Sequence, residues 1–480
     1  MAKRVVRVRS VSEGVAAATL REGITALQAE LGVTPAFPPE VEAAAERAVA
    51  NARLPELDRT EVPLVTIDPE GAMDLDQALH IERRGGGFLV HYAIADLAAF
   101  ITPGDPVDLE ANRRGETLYG ADDKVPLHPK AISEAAGSLL PDAVRPALLW
   151  TIELDAGGNQ TAATVERALV KSRAQLTYDG VQADIDTDQA DPVFGLLKEV
   201  GELRMALEAE RGGVTLPIPE QEIDVDGDTW LLEFRAQAPV EMWNAQISLM
   251  TGMAAAQIML EGGVGILRTL PDPDPRDVAR LRRTAQALKI DWPAEMEYPA
   301  FIRTLDTTDP AHAAMAVSST RLLRGSGYVG FQGSKPEQPR HSAIAAEYAH
   351  VTAPLRRLVD RYALECCVAL CAGEEVPAWV IEKLESVPET MRESGRRASA
   401  YERGVVDLVE AGILAPLVGE SFTAVVVDVS PKEPTRGRVT VESHAIEADA
   451  TSTATLPLGE EITVKLVEAD PAERRVTFSA

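Results

Sequence analysis

The spacing of apolar and polar positions divides this chain into three stretches. Over 1–60 the spacing is helical. Ser12 and Glu13 can start a helix whose apolar positions run from Leu20 to Leu31, and Gly32 is a natural stop. Pro38-Pro39 then opens a second helix over 40–54, rich in alanine and glutamate. From residue 62 the period falls towards two. Residues 62–67 form a short β-branched run that ends at Asp68. Residues 75–82 and 89–96 read as strands joined across Gly85-Gly86-Gly87, and 148–154 and 163–170 as a second pair. Helical spacing returns over 190–211, 239–261, 273–288, 310–323 and 344–372, with Pro271, Pro293 and Pro299 between helices. Strands followed by helices predict an α+β fold rather than a doubly wound sheet.

The last stretch changes character again. Residues 422–429, 438–441, 446–449, 461–467 and 475–478 read as five short strands in a small barrel. Five strands in so short a segment suit an OB-fold, and such barrels commonly bind single-stranded nucleic acid. Phe422 and Phe478 are the aromatic side chains it offers for base stacking. A purely structural barrel is the competing reading.

A length of 480 residues fits three units: a helical region 1–60, a large mixed domain 61–415 and the barrel 416–480. The first unit is either a helix-turn-helix preceded by a basic arm (Lys3, Arg4, Arg7, Arg9) or a helical cap on the next domain. The start of the chain has no apolar core of a leader, and no run reaches membrane-spanning length. Cys366, Cys367 and Cys371 cluster in one apolar stretch, as core residues do, so the chain suits a reducing cytoplasm. A net charge of −28 disfavours non-specific nucleic-acid binding over the whole surface, yet leaves room for a local basic channel.

Chemistry concentrates around Asp68, Asp74 and Asp76. If 75–81 is extended from its first residue, Asp74 and Asp76 share a face, and Asp68 closes the group from across the Pro69-Glu70-Gly71 turn. Converging carboxylates call for a hard divalent cation, Mg²⁺ or Mn²⁺. Ordinary turn chemistry is the plainer account of the same residues. Downstream, Thr352 can cap a helix with Pro354 in its first turn and Arg356 and Arg357 one turn in, a combination that attracts phosphate. Residues 320–361 carry a local balance of +4, against the acidic whole. In the loop 117–129, Tyr119 is either a base-stacking or a packing residue, while Lys124, and later Arg145, reach towards phosphate.

Taken together these motifs resemble the RNB exoribonucleases, the ribonuclease II and ribonuclease R group. The likeness runs in order through Thr66-Ile67-Asp68 with Asp74, Asp76, Ala78 and Leu79, then Ala93-Ile94-Ala95-Asp96 and Leu118-Tyr119 with Val125-Pro126-Leu127-His128-Pro129. It continues through Ser138-Leu139-Leu140-Pro141 with Arg145, Arg211-Gly212-Gly213, Glu241 with Asn244, His341, and Tyr348 to Arg357. It covers about residues 60–410, and the terminal barrel resembles the RNA-binding domain that follows in that family. The resemblance implies a magnesium-dependent, processive hydrolase that degrades single-stranded RNA from its 3′ end to nucleoside 5′-monophosphates. It implies Asp68, Asp74 and Asp76 as metal ligands, Gln77 at a fourth ligand position, and Arg356 as the phosphate-holding catalytic residue. It implies RNA contacts from Tyr119, Lys124, Arg145, Glu241, His341, Tyr348, His350, Thr352 and Arg357.

Two departures stand out. Gln77 occupies a position where the family usually has an aspartate, which weakens one metal position or shifts preference towards Mn²⁺. The paired cold-shock barrels usual at the family's N-terminus are replaced by helices. A catalytically silent RNA-binding protein of the same fold is the rival reading, and the residues leave DNA open as a second nucleic-acid partner. The expected assembly is a monomer.

Overall fold

The computed structural model describes residues 17–121, 123–226, 229–235 and 237–480. The basic arm of Lys3, Arg4, Arg7 and Arg9 and the helix start at Ser12-Glu13 lie outside these residues. Two helices come first, α1 (Ala17–Glu30) and α2 (Pro39–Ala50), the second ending four residues before its pattern predicts. Five strands then form a closed barrel: β1 (Leu64–Asp68), β2 (Gln77–Arg84), β3 (Gly87–Ala95), β6 (Val144–Leu154) and β7 (Gln160–Thr177). The predicted hairpin is present but shifted: it starts two residues later than expected, at Gln77 opposite Ile94, and runs on to Arg84 opposite Gly87. Between β3 and β6 lie α3 (Pro106–Arg114) and a two-residue hairpin, β4 (Leu118–Tyr119) and β5 (Lys124–Val125).

Helices then wrap this barrel. After β7 come α4 (Tyr178–Asp186), α5 (Pro192–Arg211), the hairpin β8 (Glu220–Asp226) and β9 (Thr229–Arg235), and α6 (Pro239–Gly262). A second run holds β10 (Val264–Thr269), α7 (Pro275–Ala287), α8 (Tyr298–Ile302), α9 (Pro310–Ser319), β11 (Gly327–Gln332), β12 (Arg340–His341) and β13 (Ala346–Glu347). The domain ends with α10 (Leu358–Ala372), α11 (Ala378–Ile381) and α12 (Val387–Leu414). Trp150, Tyr92, Ile152 and Val90 from the barrel pack in one core with Ile247 and Met250 of α6 and Cys366 and Cys367 of α10. Each such side chain contributes about 1.5–3 kcal/mol by leaving water.

The C-terminal segment closes a second five-stranded barrel: β14 (Ser421–Val429), β15 (Arg436–Val441), β16 (Ile446–Thr451), β17 (Glu461–Asp470) and β18 (Arg475–Ser479). All five predicted strands are present, and the fold is α+β as expected. One expectation fails. Phe422 and Phe478 are not surface platforms; they meet edge to face at 5.9 Å inside the barrel. The two leading helices serve different cores. Leu20, Ile24 and Leu27 of α1 join the α12 and C-terminal barrel core, while Val41, Ala44 and Ala45 of α2 join Val107, Phe100 and Leu355.

Candidate functional site

β1 ends at Asp68, paired in parallel with Thr177 at the end of β7. After the turn at Gly71 the chain from Ala72 to Asp76 is irregular, because its backbone is stitched to neighbours rather than to a sheet. Ser138 Oγ donates to the Met73 carbonyl at 2.6 Å and accepts from Leu75 N–H at 2.9 Å. Gln175 Nε2 donates to the Ala72 carbonyl at 2.7 Å. β2 therefore begins only at Gln77, and the alternation expected to put Asp74 and Asp76 on one face does not apply. Their carboxylates take different partners.

The Asp76 carboxylate is 5 % exposed. It accepts the Leu355 N–H at 2.8 Å, and Arg356 Nε lies 3.5 Å from its other oxygen. Burial pushes its carboxyl up to about 8, against the pull of Arg356 and the Leu355 hydrogen bond. Asp68 is pushed up to about 6, again by burial, opposed by the nearby Thr66 hydroxyl and by Arg356. Asp68 Oδ2 is buried and has no hydrogen-bond partner. Asp74 is held by an ammonium instead: Lys124 Nζ lies 2.9 Å from Asp74 Oδ1 and 2.9 Å from Glu134 Oε1. Gln77 is engaged at both ends. Its Oε1 accepts from the Tyr92 hydroxyl, and its Nε2 donates to the Thr352 carbonyl at 2.7 Å.

The downstream stretch is not the helix start that Thr352 and Pro354 suggest. α10 begins at Leu358, so residues 344–357 are loop and short strand. The reason is Asp360, whose Oδ1 accepts the Ala353 N–H at 2.7 Å and whose two oxygens take Arg357 Nε and Nη2 at 2.9 Å each. Thr352 is buried, with its hydroxyl 2.8 Å from Ser248 Oγ. The loop is clamped alongside 115–117: Thr117 N–H donates to the Arg356 carbonyl at 3.0 Å and Leu358 N–H to Gly115 at 2.9 Å. This clamp leads straight into the β4–β5 hairpin, where Tyr119 faces Lys124. Tyr119 is 40 % exposed. Most of the seven cations of 320–361 are already paired with carboxylates. Arg321 meets Asp428, Lys335 meets Glu347, Arg357 meets Asp360 and Arg361 meets Asp108. The Arg356 side chain remains 44 % exposed despite Asp76.

Other expected RNA contacts are dispersed. His341, Tyr348 and His350 form a run of edge-to-face rings, continued by Tyr328, whose hydroxyl lies 2.7 Å from His350 Nδ1. Gly252 lets this run sit close to α6: a Cβ there would stand 2.1 Å from Tyr348 Cε2 and 2.6 Å from the Ala349 carbonyl. Arg145 Nε donates to the Ser138 carbonyl at 3.1 Å. Glu241 caps α6 at Ala238 N–H, 2.9 Å, and pairs with Arg235 at 2.6 Å. Sequence reasoning missed Glu134 and Tyr178. Tyr178 follows Thr177, the register partner of Asp68, and its hydroxyl accepts from Asn244 Nδ2 at 3.2 Å. Only the β1–β7 register brings it to the site.

Among the described residues no group of three or more His, Cys, Asp or Glu is arranged to hold a metal ion. Asp68 and Asp76 nonetheless fit a hard divalent cation. Both are oxygen donors, both are held well above the usual carboxylate range by burial, and Asp68 Oδ2 is unpartnered. A cation would relieve that desolvation cost directly.

The family model described as the RNB domain matches residues 57–369, and the RNase II-type exonuclease C-terminal S1 domain matches 420–480. Ribonuclease R of Escherichia coli (strain K12) is 26 % identical over 411 residues, covering 80 % of this chain and 50 % of that protein. The chain thus spans about half the length of the named relatives it matches. Among solved structures, Mycoplasma genitalium RNase R in complex with ribose-methylated single-stranded RNA superimposes with a TM-score of 0.86 at 18 % identity, covering 96 % of this chain and 78 % of that one. Yeast Ssd1, a pseudonuclease, gives 0.70 at 15 %, covering 90 % and 55 %. With a match over more than half of its length, confirmed at the level of fold, this chain belongs to the RNB family and carries that family's RNase II-type C-terminal S1 domain.

Proposed function

We propose that this protein is a hydrolytic exoribonuclease that shortens single-stranded RNA processively from its 3′ end and releases nucleoside 5′-monophosphates. One observation carries the reading. Two desolvated carboxylates, Asp68 and Asp76, stand beside a half-exposed guanidinium, Arg356, that is not locked to a surface partner. Asp68 and Asp76 would hold Mg²⁺ or Mn²⁺, which supplies an activated water and neutralises charge on the leaving oxygen. Arg356 binds the phosphate to be cut. Water oxygen bonds to phosphorus, the bond to the penultimate 3′-oxygen breaks, and that oxygen leaves with a proton. Asp76 fixes the Arg356 loop through Leu355, so phosphate grip and water activation share one rigid frame. Tyr119 stacks on the terminal base, while the His341–Tyr348–His350 rings pack on one another, with Tyr348 buried, and so shape the loop rather than stack on the strand. Arg357, neutralised by Asp360, shapes the loop rather than gripping phosphate.

The substrate is RNA, the working form a monomer and the setting the cytoplasm; among the described residues no helix is long and apolar enough to cross a membrane. The test uses 5′-labelled single-stranded RNA and DNA with Mg²⁺, Mn²⁺ or chelator. A ladder shortening from the 3′ end on RNA, absent with chelator and absent on DNA, is expected. Binding without shortening would favour the silent protein of the same fold, which the likeness to a pseudonuclease keeps in view. Equal cutting of DNA would make it a general phosphodiesterase.

A further inference from the structure

The donor inventory of the site is uneven, and the unevenness has a chemical consequence. Asp68 leaves Oδ2 without a partner, while Asp76 accepts from Leu355 N–H on one oxygen and has Arg356 3.5 Å from the other. Gln77 has both ends engaged, and Asp74 has one oxygen taken by a cation. Gln77 spends its carbonyl on the buried Tyr92 hydroxyl and its amide on the Thr352 carbonyl. Asp74 Oδ1 is occupied by Lys124 Nζ, and Glu134 grips the same ammonium at the same 2.9 Å from the other side. Asp74 and Glu134 are 16 % and 17 % exposed, and Lys124 is 24 % exposed, so this ion triplet is largely withdrawn from water. Its third contact is weak: Lys130 Nζ stands 3.8 Å from Glu134 Oε2.

Lys124 is also fixed from behind. Its backbone pairs with Tyr119 across the β4–β5 hairpin, and its N–H donates to Asp123 Oδ1 at 2.7 Å. An ammonium delivered by a pinned backbone competes with a free ion at high effective concentration. A lysine side chain is an ammonium across the physiological range, so the contact with Asp74 and Glu134 is one of opposite charges.

We infer that Lys124 supplies, as a tethered ammonium, the positive charge beside Asp74 that a second divalent ion would otherwise bring, so the site takes a single divalent ion, on Asp68 and Asp76. This rests on the nuclease reading above. Glu134 is then a positioning residue: it holds the ammonium against Asp74 and prevents it from straying onto substrate phosphates. Lys124 cannot be traded for a neutral side chain without leaving two facing carboxylates uncompensated, and such a pair recruits a divalent ion.

The experiment counts Mn²⁺ bound per chain by electron paramagnetic resonance, on the full chain without RNA. The wild type is expected to bind one tight ion, Lys124→Met two, and Lys124→Arg one. Two tight ions on the wild type, or an unchanged count in folded Lys124→Met, would overturn the inference. Should Lys124→Met fail to fold, the wild-type count and Lys124→Arg decide alone. At low Mn²⁺, Lys124→Met should lose ~10²-fold in kcat on RNA, the scale of losing one preorganised charge, with KM changed far less. If the wild type leaves labelled RNA intact with either metal, the nuclease reading fails while the ion count still stands. If RNA is shortened but two ions bind, only the role of Lys124 falls.

Discussion

The Asp76 carboxylate accepts the backbone N–H of Leu355 at 2.8 Å, joining the two halves of the candidate site across 279 residues of sequence. One carboxylate thus orders the loop that carries Arg356 and, in the function proposed above, would also contribute negative charge to a cation position. Asp76→Asn separates the two. An amide oxygen still accepts from Leu355, so the loop keeps its place, while the charge is lost. RNA binding should change less than about threefold and cleavage should fall by at least ~10³-fold, the combined scale of weakened metal hold and lost preorganisation. Gel-shift affinity beside single-turnover cleavage checks both. A parallel loss of binding would assign Asp76 a purely architectural role.

Gln77 ties the start of β2 to the same loop through Thr352 and satisfies the Tyr92 hydroxyl, which is 1 % exposed. Gln77→Ala removes both bonds and leaves a buried hydroxyl and a carbonyl unpaired, at a cost of about 1–3 kcal/mol per group. Chemical denaturation should show that loss directly. Gln77→Asp keeps an acceptor for Tyr92 but turns a carboxylate towards the Thr352 carbonyl, so it should destabilise as well. A neutral effect on stability from either variant would return Gln77 to the role of an open metal ligand.

Much of this arrangement is legible in residue order, and the rest is not for definite reasons. The β2–β3 hairpin is readable because alternation and three glycines are local signals, and the C-terminal barrel because its strands are short and evenly spaced. The grouping of Asp68, Asp76 and Arg356 is readable as motif. The cap at Thr352 misleads because Asp360, seven residues after Ala353, takes that N–H and holds the chain out of helix until Leu358. Phe422 and Phe478 look available for stacking, yet barrel closure turns both inward, a matter of which face a strand presents. Lys124 reads as a phosphate ligand until the fold sets it between Asp74 and Glu134. These failures are of partner choice, which no local spacing records.

Tyr119 sits at the tip of a two-residue hairpin whose other strand is anchored by the Lys124 ion pairs, so its ring is exposed but its backbone is not free to drift. Base–aromatic stacking is worth ~1–3 kcal/mol per base. Tyr119→Ala should therefore release the RNA end earlier and lengthen the smallest limit product, with little change in initial rate on long RNA. Tyr119→Phe should preserve the wild-type product. High-resolution gels of exhaustive digests read this directly, and an unchanged limit product in Tyr119→Ala would remove Tyr119 from the substrate path.

Glu410 gives a pH-dependent prediction about how the C-terminal barrel is held. It lies on α12, 3 % exposed, where one oxygen, Oε1, accepts from both Gln221 Nε2 at 2.7 Å and Glu447 N–H at 2.8 Å. Burial pushes its carboxyl up to about 8, although both hydrogen bonds pull the other way. A folded-state value above the unfolded one means the folded chain binds more protons between about pH 4.5 and 8. Stability from this group is therefore greatest in acid and declines as pH rises through that window. Glu410→Gln keeps an oxygen for both donors and removes the titration. The variant should melt within a degree of wild type near pH 5 and about 3 °C or more above it at pH 8.5, using the usual few degrees per kcal/mol. Melting curves of both proteins across pH 5–9 decide it: a gap that narrows as pH rises would mean that Glu410 is ionised in the folded chain and that its two donors, not its proton, hold the barrel against α12.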